Sequence, residues 1–450
     1  MKKLKGLVTD PHKYVLGIDL GTSKVVAVLA ELTQDNYMRI VSVRDIASKG
    51  IHRGKIINLE QAIASVKQVS TQVLSDNNLL VDDLKAVVST FSADNVINII
   101  SKGVVPVVQR GADSLVAEDD VHNAVERALD NLKLNQTLRS NPLLAVAHSI
   151  PIAYTLDNER EVAHPVGMVA TQLEVTLLSV ALPKSSMRDV VICFERAGLP
   201  IHALLFKPLA TALGIPKNEA AVANNLILDM GGGTTDIAIF ANKKPRYFAT
   251  VPLGGDDISH DIYVVEHLPQ YKAEEVKKGI SLVSNALSAE KLIFEFGGRN
   301  YDLDKSQLQA IIGARIRNII AEKVKPILLA CENFACERVL LTGGVARTKG
   351  IENVVAVLLD LPTKRVFPAF EDQLVSEKYN ESYVTSMGIL KYIQDRATLP
   401  TAYVDDFIDI GASPWKLSSS TEKVASDQEI EYPAGTGFFE IIKNAFKDMF

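Results

Sequence analysis

Gly17-Ile-Asp-Leu-Gly-Thr-Ser-Lys24 and Leu228-Asp-Met-Gly-Gly-Gly-Thr-Thr-Asp236 share one construction: an apolar strand ending on Asp, a glycine turn, a hydroxyl residue and a return strand. A phosphate chain needs backbone N–H groups aimed at it, and glycine lets a chain turn tightly and approach closely. Gly21, Thr22, Ser23 and Lys24 supply one such turn, and Gly231, Gly232, Gly233, Thr234 and Thr235 a second. Asp19 and Asp229 close their strands where each can hold the waters of a Mg²⁺ ion. Either stretch alone also reads as a plain hairpin with a structural Asp; in two related halves, both point to a grip on one triphosphate. No GxxxxGK[ST] loop occurs, which excludes a P-loop mechanism.

Working outward, strand-like alternation at 14–31 and 39–46 gives way to a helical pattern at 59–74, the start of an α/β domain. The texture changes at Leu84, with β-rich 87–108, a helix over 117–132 and an apolar run at 143–154, so 84–164 reads as a separate inserted subdomain. Strand 172–181 and helix 185–197 resume the alternation. The second half consists of strand 226–230, its return 236–241, helices between 257 and 334, and strand 338–342. A third glycine pair, Gly343-Gly344 in Leu341-Thr-Gly-Gly-Val-Ala-Arg347, ends that strand and suits close approach to a base or sugar.

The chain has 450 residues, enough for several domains with a large ligand between them. At 47% hydrophobic and 23% charged it is an ordinary globular composition, and its formal charge of -6 gives no general pull toward nucleic acid or anionic lipid. Three cysteines without CxxC or His-rich spacing exclude a disulfide framework or zinc site as the organising device. No apolar run reaches the length of a membrane span and no signal-peptide pattern is present, so a cytoplasmic body is expected.

The order of these motifs resembles the superfamily of actin, sugar kinases and heat-shock chaperones: phosphate loops at 17–24 and 228–236, an adenosine loop at 341–347, and connecting helices at Pro208-Leu-Ala-Thr-Ala212 and Ser386-Met-Gly-Ile-Leu390. Within it, residues 14–395 resemble the FtsA family of bacterial cell-division proteins, also through His164-Pro-Val-Gly167, Gly254-Gly-Asp-Asp-Ile-Ser-His-Asp-Ile262 and Ala273-Glu-Glu-Val-Lys277. The resemblance implies an α/β, actin-like (ribonuclease H-like) two-domain fold with a nucleotide cleft. Its implied parts are a first core subdomain at 1–83 and 165–206, the family's displaced subdomain at 84–164, a second core at 207–255 and 321–399, and a helical insertion at 256–320. It also implies ATP and Mg²⁺ as ligands, with Glu274, Lys277 and Arg347 near the adenosine; Glu274 and Lys277 also read as a solvated helix face with i,i+3 pairing. Implied partners are the tail of the ring protein FtsZ, further copies of the chain in filaments, and other division proteins, at the division site on the cytoplasmic side of the inner membrane. Where hydrolysing relatives place a Glu before Pro, this chain has Lys207-Pro208; a protonated lysine cannot orient an attacking water as a base. Asp229, acting through Mg²⁺, is then the one candidate left for a weak ATPase. Other readings on the same fold are a scaffold like the pilus-assembly protein PilM, a chaperone or a sugar kinase; no substrate domain follows the body, and no phosphoryl-acceptor base is evident.

After Leu399 periodicity stops. Residues 400–436 are rich in Ser, Thr, Pro and acidic groups and read as a flexible linker spanning on the order of 30 Å. In 437–450, helical spacing gathers Phe438, Phe439, Ile441, Ile442, Ala445, Phe446, Met449 and Phe450 on one face, with Glu440, Lys443, Asn444, Lys447 and Asp448 opposite. At about 20 Å the segment is too short to cross a bilayer core of about 30 Å but suited to lying in its surface; docking on the protein's own body is the alternative. Trp415 in the linker reads as resting on the body or as part of a partner motif.

Overall fold

The computed structural model describes residues 14–32, 38–109, 114–216, 219, 224–283, 290–331, 335–368 and 379–396. The linker at 400–436, Trp415 and the amphipathic segment at 437–450 lie outside the described residues. Two compact units divide the chain: Ile97–Lys184 forms the heart of one, and the other takes the chain before it and the chain from Ser185 to Ala397.

The larger unit carries the same sheet twice. The first is ordered Ala203–Phe206, Leu84–Phe91, Tyr14–Leu20, Lys24–Leu32, Met38–Ala47; the second Thr363–Arg365, Arg338–Thr342, Asn225–Met230, Thr235–Ala241, Lys244–Val251. In each, three antiparallel strands form a meander whose first strand pairs in parallel with a later one, as in Gly17 opposite Val88 and Leu228 opposite Leu341. The central strands are near-continuous apolar runs because both faces are covered. Helix Leu59–Ser75 covers part of the first sheet; Asn58 caps it by accepting from Gln61 N at 3.1 Å, and Ala62, Val66, Val69 and Val73 form its buried stripe.

Each half also contributes a connecting helix, Lys207–Leu213 and Val384–Arg396, and the two cross in direct backbone contact. A Cβ on Gly388 would lie 1.7 Å from Ala210 O, and one on Gly214 2.0 Å from Val384 O, so both crossing points demand glycine. Thr211 and Thr385, each three residues before its glycine, bring their hydroxyl oxygens to 2.8 Å of each other.

The inserted unit is an antiparallel sheet in the order Ile97–Pro106, Gln172–Pro183, Leu144–Leu156, Arg160–Val162, with helix Glu118–Lys133 packed on it. The helix sits so close that a Cβ on Gly103 would meet Ala124 O at 1.9 Å. These elements correct the boundaries expected at 84–164. Leu84–Phe91 belongs to the first core sheet, because it pairs with Tyr14–Leu20, and Gln172–Pro183 belongs to the inserted sheet, between two strands of that unit.

The insertion after Gly255 is not all helical either. Between helices Gln270–Gly279 and Lys305–Ile319 lies a hairpin, Lys291–Phe296 with Arg299–Asp304. It turns on Gly297 and Gly298, both at positive φ, +57° and +73°, where a two-residue hairpin turn needs them.

Candidate nucleotide cleft

Residues of the larger unit enclose a cleft of about 410 Å³, within the roughly 300–1,000 Å³ usual for small-molecule and cofactor sites. Both glycine turns line it and close in the same way: Gly21 N donates to Lys24 O at 3.0 Å, and Gly231 N to Thr234 O at 2.8 Å. Their tips are fitted to each other. A Cβ on Gly232 would sit 1.9 Å from Ser23 Oγ, and one on Gly233 2.7 Å from Thr22 Oγ1. Thr22 Oγ1 in turn accepts from Gly54 N at 3.0 Å. Helix Gly255–Glu266 starts on the second turn, where Gly255 N and Asp256 N donate to Gly231 O and Gly232 O at 2.9 and 2.7 Å.

The floor is charged and buried. Asp19, Asp229, Asp236 and Lys207 are each at most 8% exposed. Lys207 Nζ lies 3.2 Å from Asp19 Oδ1 and 3.3 Å from Leu20 O. Burial works against its charge, but Asp19, Asp236 and Asp229 outweigh that and raise its pKa. Burial raises Asp229 despite Lys207, and pushes Asp236 up to about 7. The carboxylates are held in place by hydroxyls. Thr90 donates to Asp19 Oδ1 at 2.7 Å, Thr211 and Thr385 to Asp229 Oδ2 at 3.1 and 2.8 Å, and Thr250 to Asp236 Oδ1 at 2.7 Å.

Gly343 completes the floor. Its φ is +92°, and a Cβ there would lie 2.3 Å from Asp229 Oδ1. Gly344, Val345 and Arg347 continue that wall. Opposite, Glu274 and Lys277 do both things the sequence allowed: they pair with each other, and they line the cleft, Lys277 Nζ also donating to Gly255 O at 2.8 Å. Lys277 draws the Glu274 pKa down against the pull of its burial.

Apart from Lys24, the last wall was not expected from sequence. Lys24 Nζ donates to Ser382 Oγ at 3.1 Å and sits 3.4 Å from the centre of the Tyr383 ring, while Tyr383 Oη donates to Asp45 at 3.0 Å. Burial lowers the Lys24 pKa to about 8, against Asp45 and Asp19. Among the expected residues, Gly233 and Thr235 do not line the cleft: Gly233 packs under Thr22, and Thr235, pointing to the opposite face from Thr234, donates to Leu253 O at 3.0 Å. Lys207, Asp236, Thr385 and Tyr383 line it without having been assigned to the site. For Asp236 and Thr385 a signal existed: Asp236 ends the quoted turn motif, and Thr385 is set three residues before its glycine, as Thr211 is.

Backbone amides from two hairpins, a glycine wall and four lysines suit a nucleotide with a polyphosphate chain. A directly coordinated metal does not fit. Among the described residues no group of three His, Cys, Asp or Glu side chains is arranged to hold one, and Lys207 already faces Asp19, which leaves Asp19 and Asp229 at most contacts through water.

Comparison with known proteins agrees with this architecture. Residues 226–388 match the family model described as "Cell division protein FtsA", and residues 95–181 match the "SHS2 domain inserted in FTSA", which coincides with the inserted unit. The chain is 25% identical over 386 residues to the cell division protein FtsA of Pseudomonas aeruginosa, covering 84% of this chain and 89% of that one. With FtsA of Escherichia coli K12 it shares 23% identity over 417 residues, 90% of this chain and 96% of that one. Among solved structures it resembles a chain of the PilM-PilN type IV pilus biogenesis complex, with a TM-score of 0.56 and 17% identity, over 83% of this chain and 96% of that one. That likeness speaks to the actin-like fold.

Proposed function

Because the chain belongs to the FtsA family of cell division proteins, we propose that it is an ATP-binding, actin-like adaptor that assembles on the cytoplasmic face of the inner membrane, ties the FtsZ ring to it and recruits later division proteins. The single observation that supports the nucleotide reading is the fit of the two turns: glycine wherever the opposite turn brings a side chain, above a floor shared by both halves. Lys207 at the head of its connecting helix, held against Asp19, is a poor base for water, so turnover is slow or absent and the nucleotide serves assembly.

The segment at 437–450 supplies the membrane contact. Its charges nearly cancel, so insertion rests on apolar burial at roughly 1.5–3 kcal/mol per large side chain, offset by the ordering of a short helix. One such helix holds weakly; many carried on one polymer hold through effective concentration, which gives a filament a physical purpose. The test is liposome flotation of the full chain and of a chain lacking 438–450, with and without ATP and purified FtsZ. The full chain is expected to float and to bring FtsZ with it; equal flotation of the shortened chain, or FtsZ left at the bottom, would refute the reading.

A further inference from the structure

Three carboxylates stand on the floor of a cleft whose walls suit a polyphosphate, and as they stand they oppose such a ligand. The usual remedy is a divalent ion between acid and phosphate. Here the hydroxyls of Thr90, Thr211, Thr385 and Thr250 already hold one or more oxygens of each carboxylate, which fixes their orientation. Lys207 Nζ occupies the space beside Asp19 Oδ1 and Leu20 O, at the root of the first turn, and is in the field of Asp229 and Asp236 from the other half. Its stem is fixed as well. Lys207 opens a helix whose next residue is Pro208, and that helix is locked to its counterpart through Gly214 and Gly388.

Resting on the nucleotide reading above, we propose that Lys207 is the built-in cation of this cleft: it offsets negative charge on the carboxylate floor in place of a divalent ion, so that nucleotide binding does not depend on Mg²⁺. A fixed ammonium costs no reorganisation when the ligand arrives, and burial at low dielectric strengthens its effect on nearby charge. The same placement explains why a lysine, useless as a base, sits at the root of the first turn against Asp19.

The test is calorimetric titration of ATP into the full chain, in excess EDTA and in excess Mg²⁺, with Lys207→Gln and Lys207→Arg alongside. The wild-type Kd is expected to differ by less than about threefold between the two conditions, whereas Lys207→Gln weakens by at least about tenfold in EDTA and recovers most of that with Mg²⁺. Lys207→Arg keeps the charge and should remain indifferent to EDTA, which holds the test open if the Gln variant does not fold. A wild-type chain that binds ATP only with Mg²⁺ overturns the role of Lys207 and leaves the cleft as a nucleotide site. Binding under neither condition overturns both, and a Gln variant as tight as wild type in EDTA overturns the role of Lys207 alone.

Discussion

The two halves of the larger unit share a sheet order, an Asp-closed strand and a glycine turn, yet their turns are equipped oppositely. The first carries side chains, Thr22, Ser23 and Lys24; the second offers bare backbone, Gly231, Gly232 and Gly233. The reason is mutual fit, since the second turn has to be glycine where the first places its hydroxyls. A repeated fold therefore acquires one site by dividing the work: side-chain donors and a cation from one copy, close backbone approach from the other.

The largest effect should come from filling the second turn. Gly232→Val drives side-chain atoms into Ser23, and ATP binding should be lost by calorimetry. Gly232→Ala is the sharper probe, because its Cβ meets Ser23 Oγ at 1.9 Å, with Ser23 Cβ and Asp256 Oδ1 next at 3.2 Å. It should weaken ATP binding by at least about tenfold, and adding Ser23→Gly should restore part of that, a coupling measurable as a double-mutant cycle. Without such coupling, the two turns are not fitted to each other.

A smaller effect distinguishes the charged side of the comparison. Lys24 has a pKa near 8 in the free chain, and a bound phosphate favours its protonated form. ATP affinity should thus fall above about pH 8 by up to about tenfold per pH unit. Lys24→Arg should flatten the profile; an unchanged profile in that variant would assign the titration to another group.

The two glycine motifs, the third glycine pair and most helices were legible in the sequence because each is local: a turn, a stripe, a cap. Sheet membership was not. Leu84–Phe91 and Gln172–Pro183 are both apolar, β-branched runs, and only pairing partners distant in sequence decide which sheet each joins. The hairpin at 291–304 did carry a signal, Gly297-Gly298 between alternating residues, but in short strands amid helices. The wall of Lys24, Asp45, Ser382 and Tyr383 brings together groups more than 300 residues apart, which no local pattern encodes.

The smallest effect concerns the floor. Asp236 has a folded pKa near 7 against an ordinary value of 3.8. A raised carboxyl binds a proton in the folded chain that the unfolded chain releases, so its contribution to stability is full below about pH 4 and is lost as pH rises to 7. In thermal melts, Asp236→Asn should reduce the decline in Tm between pH 5 and 8 relative to wild type.

The central claim is that both halves close on one nucleotide, and titration of ATP into the intact chain against Asp229→Ala/Gly232→Val tests it most directly. One ATP bound per wild-type chain, with no binding by the double variant, is the result expected; retained affinity in the double variant would contradict it.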